Sequence, residues 1–228
     1  MNCWVITCEH GGRQLPAVYR PLFRNAGSVL DSHRGYDAGA LFVYNKLLPL
    51  ADYHQHNLIT RLLIDFNRSQ NHPHCFSQYT RELSRDTKQE ILRQYYLPYR
   101  TALEQVLSDA LQKQRQIIHI SVHSFTPELD GQIRTNAIGL LYDPSRTAEK
   151  QFCTEWRRLL QQKAPGRQVR FNYPYRGSSD GLTTALRRQF GRHYLGIELE
   201  INQLHLKQPA KTGRILRESL EELQHNLH

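Results

Sequence analysis

The sequence has no long hydrophobic run and no paired cysteines, and both absences exclude classes of protein. Its apolar stretches are far shorter than the roughly 20 residues that a membrane-spanning helix needs. Cys3, Cys8, Cys75 and Cys153 show no C-x-x-C spacing, so we expect buried or idle thiols rather than a disulfide framework or a zinc knuckle. No basic segment precedes the first apolar stretch, which Glu9 interrupts, so we expect a cytoplasmic protein with no membrane partner.

Length and composition fit one folded domain. The chain has 228 residues, of which 39% are hydrophobic and 10% aromatic, so it can bury a substantial core and is not of the disordered class. No repeat, linker or low-complexity tract divides it. We therefore expect a single domain over residues 1–228.

The basic charge balance does not by itself identify a partner. Thirty Lys and Arg residues against 21 Asp and Glu give a net charge of +9. The basic residues are spread through predicted helices, as at Arg157-Arg158 and Arg187-Arg188, and no helix-turn-helix, RNP-like or zinc-finger spacing accompanies them. Solubility explains the charge best and attraction of a small anionic substrate comes second, whereas nucleic acid is not expected as a partner.

Strand-like and helix-like segments alternate along the chain. The predicted strands cover residues 3–10, 58–66, 117–123, 137–142, 169–173 and 195–201. The predicted helices cover residues 13–23, 37–48, 77–113, 145–163, 182–190 and the segment from about 212. Pro98 is expected to kink or divide the third helix, and Ser145 to cap the fourth. This alternation predicts an α/β fold with a mainly parallel sheet that helices cover on both faces.

Three of the predicted strands end in residues that can bind a metal or move a proton. These segments are Cys3–His10, Ile117–His123 and Tyr194–Glu200. Ligand sites in open α/β sheets form at the carboxyl ends of parallel strands, so we expect the polar groups at these ends to converge. The pattern predicts a metal-dependent hydrolase.

His10 and His123 are the first candidates for metal ligands. Each stands where an apolar strand gives way to a loop, and catalytic zinc sites take three protein ligands from His, Asp or Glu. Asp37 is the third candidate, although a helix N-cap explains an Asp at that position equally well; His33 is the alternative ligand. His119 is expected to be a core residue or to support the ligands.

Glu198 and Glu200 point to the same face of the last predicted strand. A carboxylate at a buried strand end is costly unless it binds a metal or transfers a proton. We therefore expect one of the two to be the general base, and the other to orient a ligand or to pair with an arginine.

Arg61 and the segment Asp65-Phe66-Asn67-Arg68 add groups that can hold a substrate. Arginine binds carboxylates through two parallel hydrogen bonds and can stabilise a developing oxyanion. A salt bridge between Asp65 and Arg68 is the structural alternative. Later loops contain further residues that could line the same cleft, although each taken singly is more often a surface or turn residue: Arg134, Asn136, Tyr173, Arg176 and Asp180.

Five segments, taken in chain order, form a recognisable set. They are Cys8-Glu9-His10-Gly11-Gly12, Asp31-x-His33-Arg34-Gly35-Tyr36-Asp37, Arg61-Leu62-Leu63-Ile64-Asp65-Phe66-Asn67-Arg68-Ser69, His123-Ser124-Phe125-Thr126-Pro127 and Leu199-Glu200-Ile201-Asn202-Gln203. Together they resemble the N-formylglutamate amidohydrolase family, which is related in fold to zinc carboxypeptidases and aspartoacylase. The resemblance runs from about residue 5 to residue 205, and its most specific parts are Asp-Phe-Asn-Arg and His-Ser-Phe-Thr-Pro.

The resemblance implies a fold and a reaction. The implied fold is a phosphorylase/hydrolase-like three-layer α/β/α sandwich with a mainly parallel mixed sheet. The implied reaction is the hydrolysis of an N-acyl amino acid such as N-formylglutamate, by water that one zinc ion activates. Hydrolysis of other N-acyl amino acids or short acidic peptides, and a non-catalytic small-anion-binding protein on the same fold, are the alternatives. The oligomeric state, including a homo-oligomer, stays open.

Residue roles carry over by position. His10 and His123 would bind zinc, Arg61 would polarise the amide carbonyl, and Glu200 fits the general base best, with Glu198 close enough to contest the role. Substrate binding is assigned to Asn67, Arg68, Asp65 and Arg134. The His-x-x-Glu pattern of carboxypeptidases and aspartoacylase reads His10-Gly11-Gly12-Arg13 here, so the remaining ligand must come from elsewhere and is assigned to Asp37.

Overall fold

A six-stranded mixed sheet forms the centre of the computed structural model, which describes residues 2–227. In chain order the strands are β1 (Asn2–Cys8), β2 (Tyr53–His56), β3 (Gln116–Phe125), β4 (Glu128–Leu129), β5 (Gln132–Ile133), β6 (Ile138–Leu141), β7 (Val169–Phe171) and β8 (Tyr194–Asn202). The sheet has the spatial order β2-β1-β3-β8-β6-β7, while β4 and β5 form a separate antiparallel pair. The first four strands of the sheet are parallel, β6 is antiparallel to β8, and β7 is parallel to β6.

Helices cover both faces of this sheet. The α-helices are α1 (Gly27–Leu30), α2 (Ala40–Leu47), α3 (Arg85–Ile91), α4 (Leu97–Gln112), α5 (Thr147–Lys163), α6 (Leu182–Phe190) and α7 (Pro209–Asn226). Short 3-10 helices cover Ala17–Phe23, Leu48–Leu50, Gly191–His193 and Gln203–Lys207, and a π-helical segment, Leu92–Tyr96, joins α3 to α4. Across residues 2–227, none of the helices combines the length and the apolar character needed to span a membrane.

Two hydrophobic cores lie on opposite sides of the sheet. Helices α2, α5 and α7 pack against one face, and α4 and α6 pack against the other. Trp4 and Ile6 belong to the first core, whereas Cys3 and Val5 belong to the second, as the two-residue period of a strand requires. The predicted three-layer α/β/α sandwich with a mainly parallel mixed sheet is confirmed, and all four cysteines are buried and free.

The strand predicted over residues 58–66 is wrong. Residues 61–63 form a turn, and Leu63 N donates to the Thr60 carbonyl at 3.0 Å. The apolar run of Leu62, Leu63 and Ile64 is buried because it packs into the second core beside α4 and α6. The strand at this edge of the sheet is instead β2, whose residues Tyr53–His56 alternate between half-buried and exposed. The apolar run in this segment therefore reflects the burial of a turn and not a strand.

Several helix boundaries also differ from the predictions. A 3-10 helix, Ala17–Phe23, takes the place of the helix predicted over residues 13–23, and α2 begins at Ala40 rather than at residue 37. The N-cap of α5 is Arg146, while the Ser145 hydroxyl donates to Asp143 instead. The helical segment is divided next to Pro98, as expected, because the π-helical segment ends at Tyr96 and Pro98 lies in the first turn of α4.

A buried ion pair connects α5, α6 and β8. Glu149 Oε1 accepts from Arg187 Nε at 2.9 Å and from Gly196 N at 3.2 Å, and Arg187 Nη2 donates to the Gly196 carbonyl at 2.6 Å. Glu149 is fully buried and Arg187 is 5% exposed. The geometry therefore compensates the desolvation of both charges, but only while both partners are present.

Substitution of Glu149 by Gln is expected to lower the free energy of unfolding by about 3–5 kcal/mol, because it leaves the Arg187 guanidinium buried without a counter-charge. Urea denaturation measures this loss. Glu155→Gln is the matched control, since Glu155 lies on the same helix but pairs with Arg158 at the exposed surface, where ion pairs contribute little. Equal effects of the two substitutions would contradict the prediction.

Candidate metal centre

Polar side chains occupy the carboxyl ends of β1, β3 and β8 on one face of the sheet. The strand register places Ser121 beside Thr7 and Glu198, and His123 beside Glu200. The opposite face of the same strand ends is apolar and buried, and its residues are Ile6, Cys8, Ile120, Val122, Ile197 and Leu199. Side-chain alternation therefore collects the polar residues into one group.

His10 lies in the loop directly after β1. A Cβ atom on Gly12 would come within 2.4 Å of the Leu58 carbonyl oxygen, because the two chain segments approach closely enough for Gln14 N to donate to that oxygen at 2.8 Å. Glycine thus permits a close backbone approach here. The His10 carbonyl accepts from Asp37 N at 2.9 Å, which brings the loop before α2 alongside.

Asp37 does not serve as a helix cap. The N-cap position of α2 belongs to Gly39, which has a φ of 83°, and no side chain caps this helix. The carboxylate of Asp37 faces His10 and His123 instead. Of the two roles considered for this residue, the geometry fits the ligand role.

His10, Asp37 and His123, which we call the ligand cluster, could hold a metal ion. Each offers one ligand atom, and these atoms lie within 4.8 Å of one another. Asp37 Oδ2 lies 2.8 Å from Nδ1 of His123 and 3.4 Å from Nδ1 of His10. All three residues are buried, and Nδ1 of His10 has no hydrogen-bond partner among residues 2–227. A buried nitrogen of this kind is suited to binding an ion.

The other ring nitrogen of each histidine faces a second carboxylate. Nε2 of His10 lies 2.7 Å from Asp65 Oδ1. Nε2 of His123 lies 3.1 Å from Glu9 Oε2 and 2.9 Å from Ser121 Oγ. Partners of this type fix the tautomer and the orientation of metal-binding histidines. With Nε2 protonated towards these acceptors, both histidines present the Nδ1 lone pair to the space within the ligand cluster.

Arg61 connects the two aspartates. Its Nη1 lies 3.2 Å from Asp37 Oδ1, and its Nη2 lies 3.1 Å from Asp65 Oδ2. Burial alone would raise the pKa of Asp65, but Arg61 and His10 outweigh it and hold that pKa below its usual range. Burial alone would also raise the pKa of Asp37, but His10, His123 and Arg61 outweigh it and hold that pKa below its usual range. Both aspartates are therefore ionised.

The surroundings of His123 are strongly negative. Burial alone would lower the pKa of His123, whereas its hydrogen bonds with Asp37 and Glu9 raise that pKa well above its usual range. Burial would likewise raise the pKa of Glu9, but His123 holds it below its usual range. With neutral imidazoles, the ligand cluster and its immediate partners contain the carboxylates of Asp37, Asp65 and Glu9 against the single guanidinium of Arg61. A divalent cation would balance this excess of two negative charges.

Glu200 and Glu198 differ in their surroundings. Oε2 of Glu200 is buried and has no hydrogen-bond partner in the described part of the chain, and burial raises the pKa of Glu200 to about 8. Glu198 is more exposed, and its Oε1 accepts from Thr183 Oγ1 at 2.8 Å. Both line the cavity above the ligand cluster.

This cavity has a volume of about 390 Å³ and is rich in arginine. Its lining includes Arg34, Arg61, Arg68 and Arg176. Asn67 also lines it, with Oδ1 accepting from the Leu182 backbone N–H at 2.8 Å. Arg68 donates from Nη1 to the Asp180 carbonyl at 2.8 Å. Guanidinium groups arranged in this way can bind carboxylates.

Two residues that we assigned to substrate binding lie outside the cavity lining. Asp65 stands behind His10, and Arg134 packs against the Tyr175 and Phe125 rings, with its guanidinium carbon 5.3 and 5.9 Å from their centroids. Of the later loop residues, Arg176 and Asp180 line the cavity, whereas Asn136 and Tyr173 do not. His33, the alternative ligand, lines the cavity but is exposed and lies outside the ligand cluster.

Glu9, Arg34 and Arg176 are the residues to which sequence reasoning gave no role or too small a role. The sequence does contain a pattern that points to Glu9. It follows Thr7 by two residues, so it faces the same side of the sheet as Ser121 and His123 on the neighbouring strand. Arg34 and Arg176 belong to loops, where spacing gives no information on which cavity a side chain reaches.

His119 is buried on the same face of β3 as Ser121 and His123, four residues before His123, and is not a member of the ligand cluster. Its Nε2 lies 2.7 Å from Thr7 Oγ1, and its Nδ1 lies 2.5 Å from the Tyr194 hydroxyl. Burial is the main cause that lowers its pKa to about 4. The neutral form is therefore the one that the folded protein accommodates.

His119 is expected to contribute less to the stability of metal-free protein as the pH falls from about 6.5 towards 4, because it binds a proton more readily in the unfolded state, with a pKa of about 6.5, than in the folded state. The contribution is complete above the higher of these values and amounts to at most about 3 kcal/mol. Urea denaturation of wild type and His119→Gln across this pH range measures it. The substitution removes this component of the slope, and identical slopes would contradict the prediction.

Comparisons with known proteins agree with the fold and identify the family. The sequence model of the N-formylglutamate amidohydrolase family matches residues 2–205. No curated protein matches the sequence. Among solved structures, a gene product from Agrobacterium tumefaciens shares 22% identity at a TM-score of 0.78, over 100% of this chain and 91% of that one. The N-formylglutamate amidohydrolase from Ralstonia eutropha shares 18% identity at a TM-score of 0.66, over 99% and 96%.

At these identities the two solved structures show a shared fold only. The assignment to a family rests on the match to the family's sequence model. It spans nearly the whole chain and includes all three residues of the ligand cluster as well as Glu198 and Glu200. A possible metal site of two histidines and one aspartate agrees with an amidohydrolase. The chain therefore belongs to the N-formylglutamate amidohydrolase family.

Proposed function

We propose that this chain is a zinc-dependent amidohydrolase that cleaves the amide bond of an N-acyl amino acid such as N-formylglutamate. The convergence of three buried ligand atoms beside the unpaired carboxylate oxygen of Glu200 carries the proposal. Family membership supports the reaction class.

Zinc suits the donor set of the ligand cluster. Two imidazole nitrogens and one carboxylate oxygen are typical ligands of catalytic zinc. The unpartnered Nδ1 of His10 and the excess of negative charge around His123 both favour a cation at this position. When bound, the ion supplies Lewis-acid activation of water and of the amide carbonyl.

Glu200 is the general base of the proposed reaction. It lies beside His123 in the strand register, so its carboxylate can take a proton from the attacking water and deliver it to the leaving amine. A pKa raised by burial to about 8 suits a group that must accept and release a proton near neutral pH. Glu198 has the supporting role, since its hydrogen bond from Thr183 already fixes one of its oxygens.

The arginines of the cavity hold and polarise the substrate. Arg61 is fixed by Asp37 and Asp65 at the edge of the cavity, where its guanidinium can stabilise the negative charge that develops on the amide carbonyl oxygen. Asn67 and Arg68 bind the substrate carboxylate. The further arginines of the lining, Arg34 and Arg176, suit the second carboxylate of a substrate such as N-formylglutamate. Asp65 acts through His10 and Arg61.

The proposal is tested by metal analysis combined with a hydrolysis screen over N-formyl, N-acetyl and longer N-acyl derivatives of Glu, Asp and neutral amino acids. Activity is expected to disappear on chelation, to return with zinc, and to be absent in His123→Ala. His33→Ala is the matched control and is expected to keep the metal, because His33 lies outside the ligand cluster. Full activity after chelation would refute the mechanism, and a folded protein that hydrolyses none of these compounds would favour a non-catalytic anion-binding role.

Replacement of Glu200 by Gln is expected to lower kcat by about 10²–10⁴-fold. The reason is that the side-chain amide introduced in place of the carboxylate cannot take a proton from water. The zinc content should stay unchanged, since Glu200 is outside the ligand cluster. Glu198→Gln, measured in parallel on the same substrate, is expected to reduce kcat far less. The reverse order would assign the base to Glu198.

A further inference from the structure

Glu9 is a completely buried carboxylate to which the proposed reaction gives no task. Its Oε1 accepts from the Tyr99 hydroxyl at 3.1 Å, and its Oε2 accepts from Ser121 Oγ at 2.5 Å. The same Oε2 lies 3.1 Å from Nε2 of His123. Glu9 thus contacts His123 on the side of the ring opposite the ligand cluster.

The buried charge of Glu9 requires an explanation beyond hydrogen bonding. Tyr99 and Ser121 each need an acceptor, but a neutral amide or hydroxyl oxygen would also accept from them. An ionised carboxylate in a buried site costs far more to desolvate than a neutral group. The group that responds to the charge itself is the His123 ring.

When an ion occupies the ligand cluster, contact with Glu9 favours one of the two neutral forms of His123. A neutral imidazole has one N–H, and an adjacent carboxylate oxygen attracts it to Nε2. Nδ1, which lies 2.8 Å from Asp37 Oδ2, then presents its lone pair to the ligand cluster. Without the carboxylate, the tautomer with the proton on Nδ1 can form a hydrogen bond with Asp37, and the lone pair needed for an ion is lost.

Glu9 also contributes to the negative charge that a cation would neutralise. Asp37 is an ionised member of the ligand cluster, and the charge of Asp65 is shared with Arg61. Among these carboxylates, Glu9 has no arginine or lysine within salt-bridge distance in the described part of the chain, and His123 is the side chain within that distance. No arginine or lysine therefore offsets the charge of Glu9 next to His123.

We propose that Glu9 is a positioning residue of the metal centre, which directs Nδ1 of His123 towards the ion and raises the affinity of the ligand cluster for a divalent cation. This inference rests on the proposed function for the presence of the ion. It assigns the second carboxylate–histidine pair of the site, alongside that of Asp65 and His10.

The test is the zinc dissociation constant of purified protein, measured by competition with a chromogenic chelator for wild type, Glu9→Gln and Tyr99→Phe. Glu9→Gln is isosteric and removes the charge, and it is expected to weaken zinc binding by about 10–100-fold. Tyr99→Phe is the matched control, because it removes a hydrogen bond from the other oxygen of Glu9 and leaves the contact with His123 in place. Its affinity should stay close to wild type.

The visible absorption spectrum of the cobalt(II)-substituted protein gives a second readout that general destabilisation does not change. The ligand-field bands are expected to shift in Glu9→Gln, because His123 no longer presents a fixed nitrogen to the ion, and to be retained in Tyr99→Phe. If wild type binds neither metal, the proposed function fails. If wild type binds zinc and Glu9→Gln has the same affinity and the same cobalt spectrum, only the role of Glu9 fails.

Two further outcomes would also overturn the role of Glu9. One is an equal loss of affinity in Tyr99→Phe and Glu9→Gln, which would trace the effect to the packing of the hydrogen-bond network. The other is measured on a second variant: if metal-free Glu9→Gln does not fold, Glu9→Asp is used in its place. Aspartate keeps the charge but withdraws it from His123 by one methylene group, so zinc binding should weaken relative to wild type and to Tyr99→Phe. Unchanged affinity of Glu9→Asp would then contradict the proposal.

Discussion

The organisation of the site depends on keeping a set of ionised side chains out of water at the carboxyl ends of β1, β3 and β8. Burying a charge is costly unless each member contacts a partner. The contacts form one continuous chain, which runs through Glu9, His123, Asp37, Arg61, Asp65 and His10. Displacing one member would leave each of its neighbours with one contact fewer. The contacts among these six side chains therefore fix the geometry of the ligand cluster.

The molecule uses buried charge in two different ways. Glu149 pairs with the buried Arg187 and with the more exposed Arg146, so its negative charge is fully matched, and backbone groups satisfy further polar atoms of the pair with Arg187. Such a pair connects elements of the fold and has no capacity for a ligand. Around His10 and His123, the carboxylates outnumber the guanidinium of Arg61. An unbalanced cluster is less favourable for folding than a balanced one, and this cost is consistent with a binding role.

The sequence was sufficient to predict those parts of the site that follow from strand periodicity. His10, His123 and Glu200 stand at the ends of apolar runs, and the carboxyl edge of a parallel sheet brings such ends together whatever the loops do. The edge strand β2 was missed, because Tyr53–His56 lacks an apolar pattern, while residues 58–66 have one for a different reason, namely burial against α4 and α6. The apolar residues of a segment indicate that it is buried, and burial alone does not distinguish a strand from a packed turn.

Loops and strands divide the chemistry of this site between them. His123 and Glu200 lie on adjacent central strands, so their separation is set by backbone pairing rather than by side-chain packing. Arg34 and Arg176, in contrast, are exposed loop residues, and loops tolerate changes of length and sequence that strands do not. In the proposed reaction, the sheet therefore positions His123 and Glu200, whereas loops supply the exposed arginines of the cavity. This division explains why strand periodicity predicts where His123 and Glu200 meet, while it gives no information on Arg34 and Arg176.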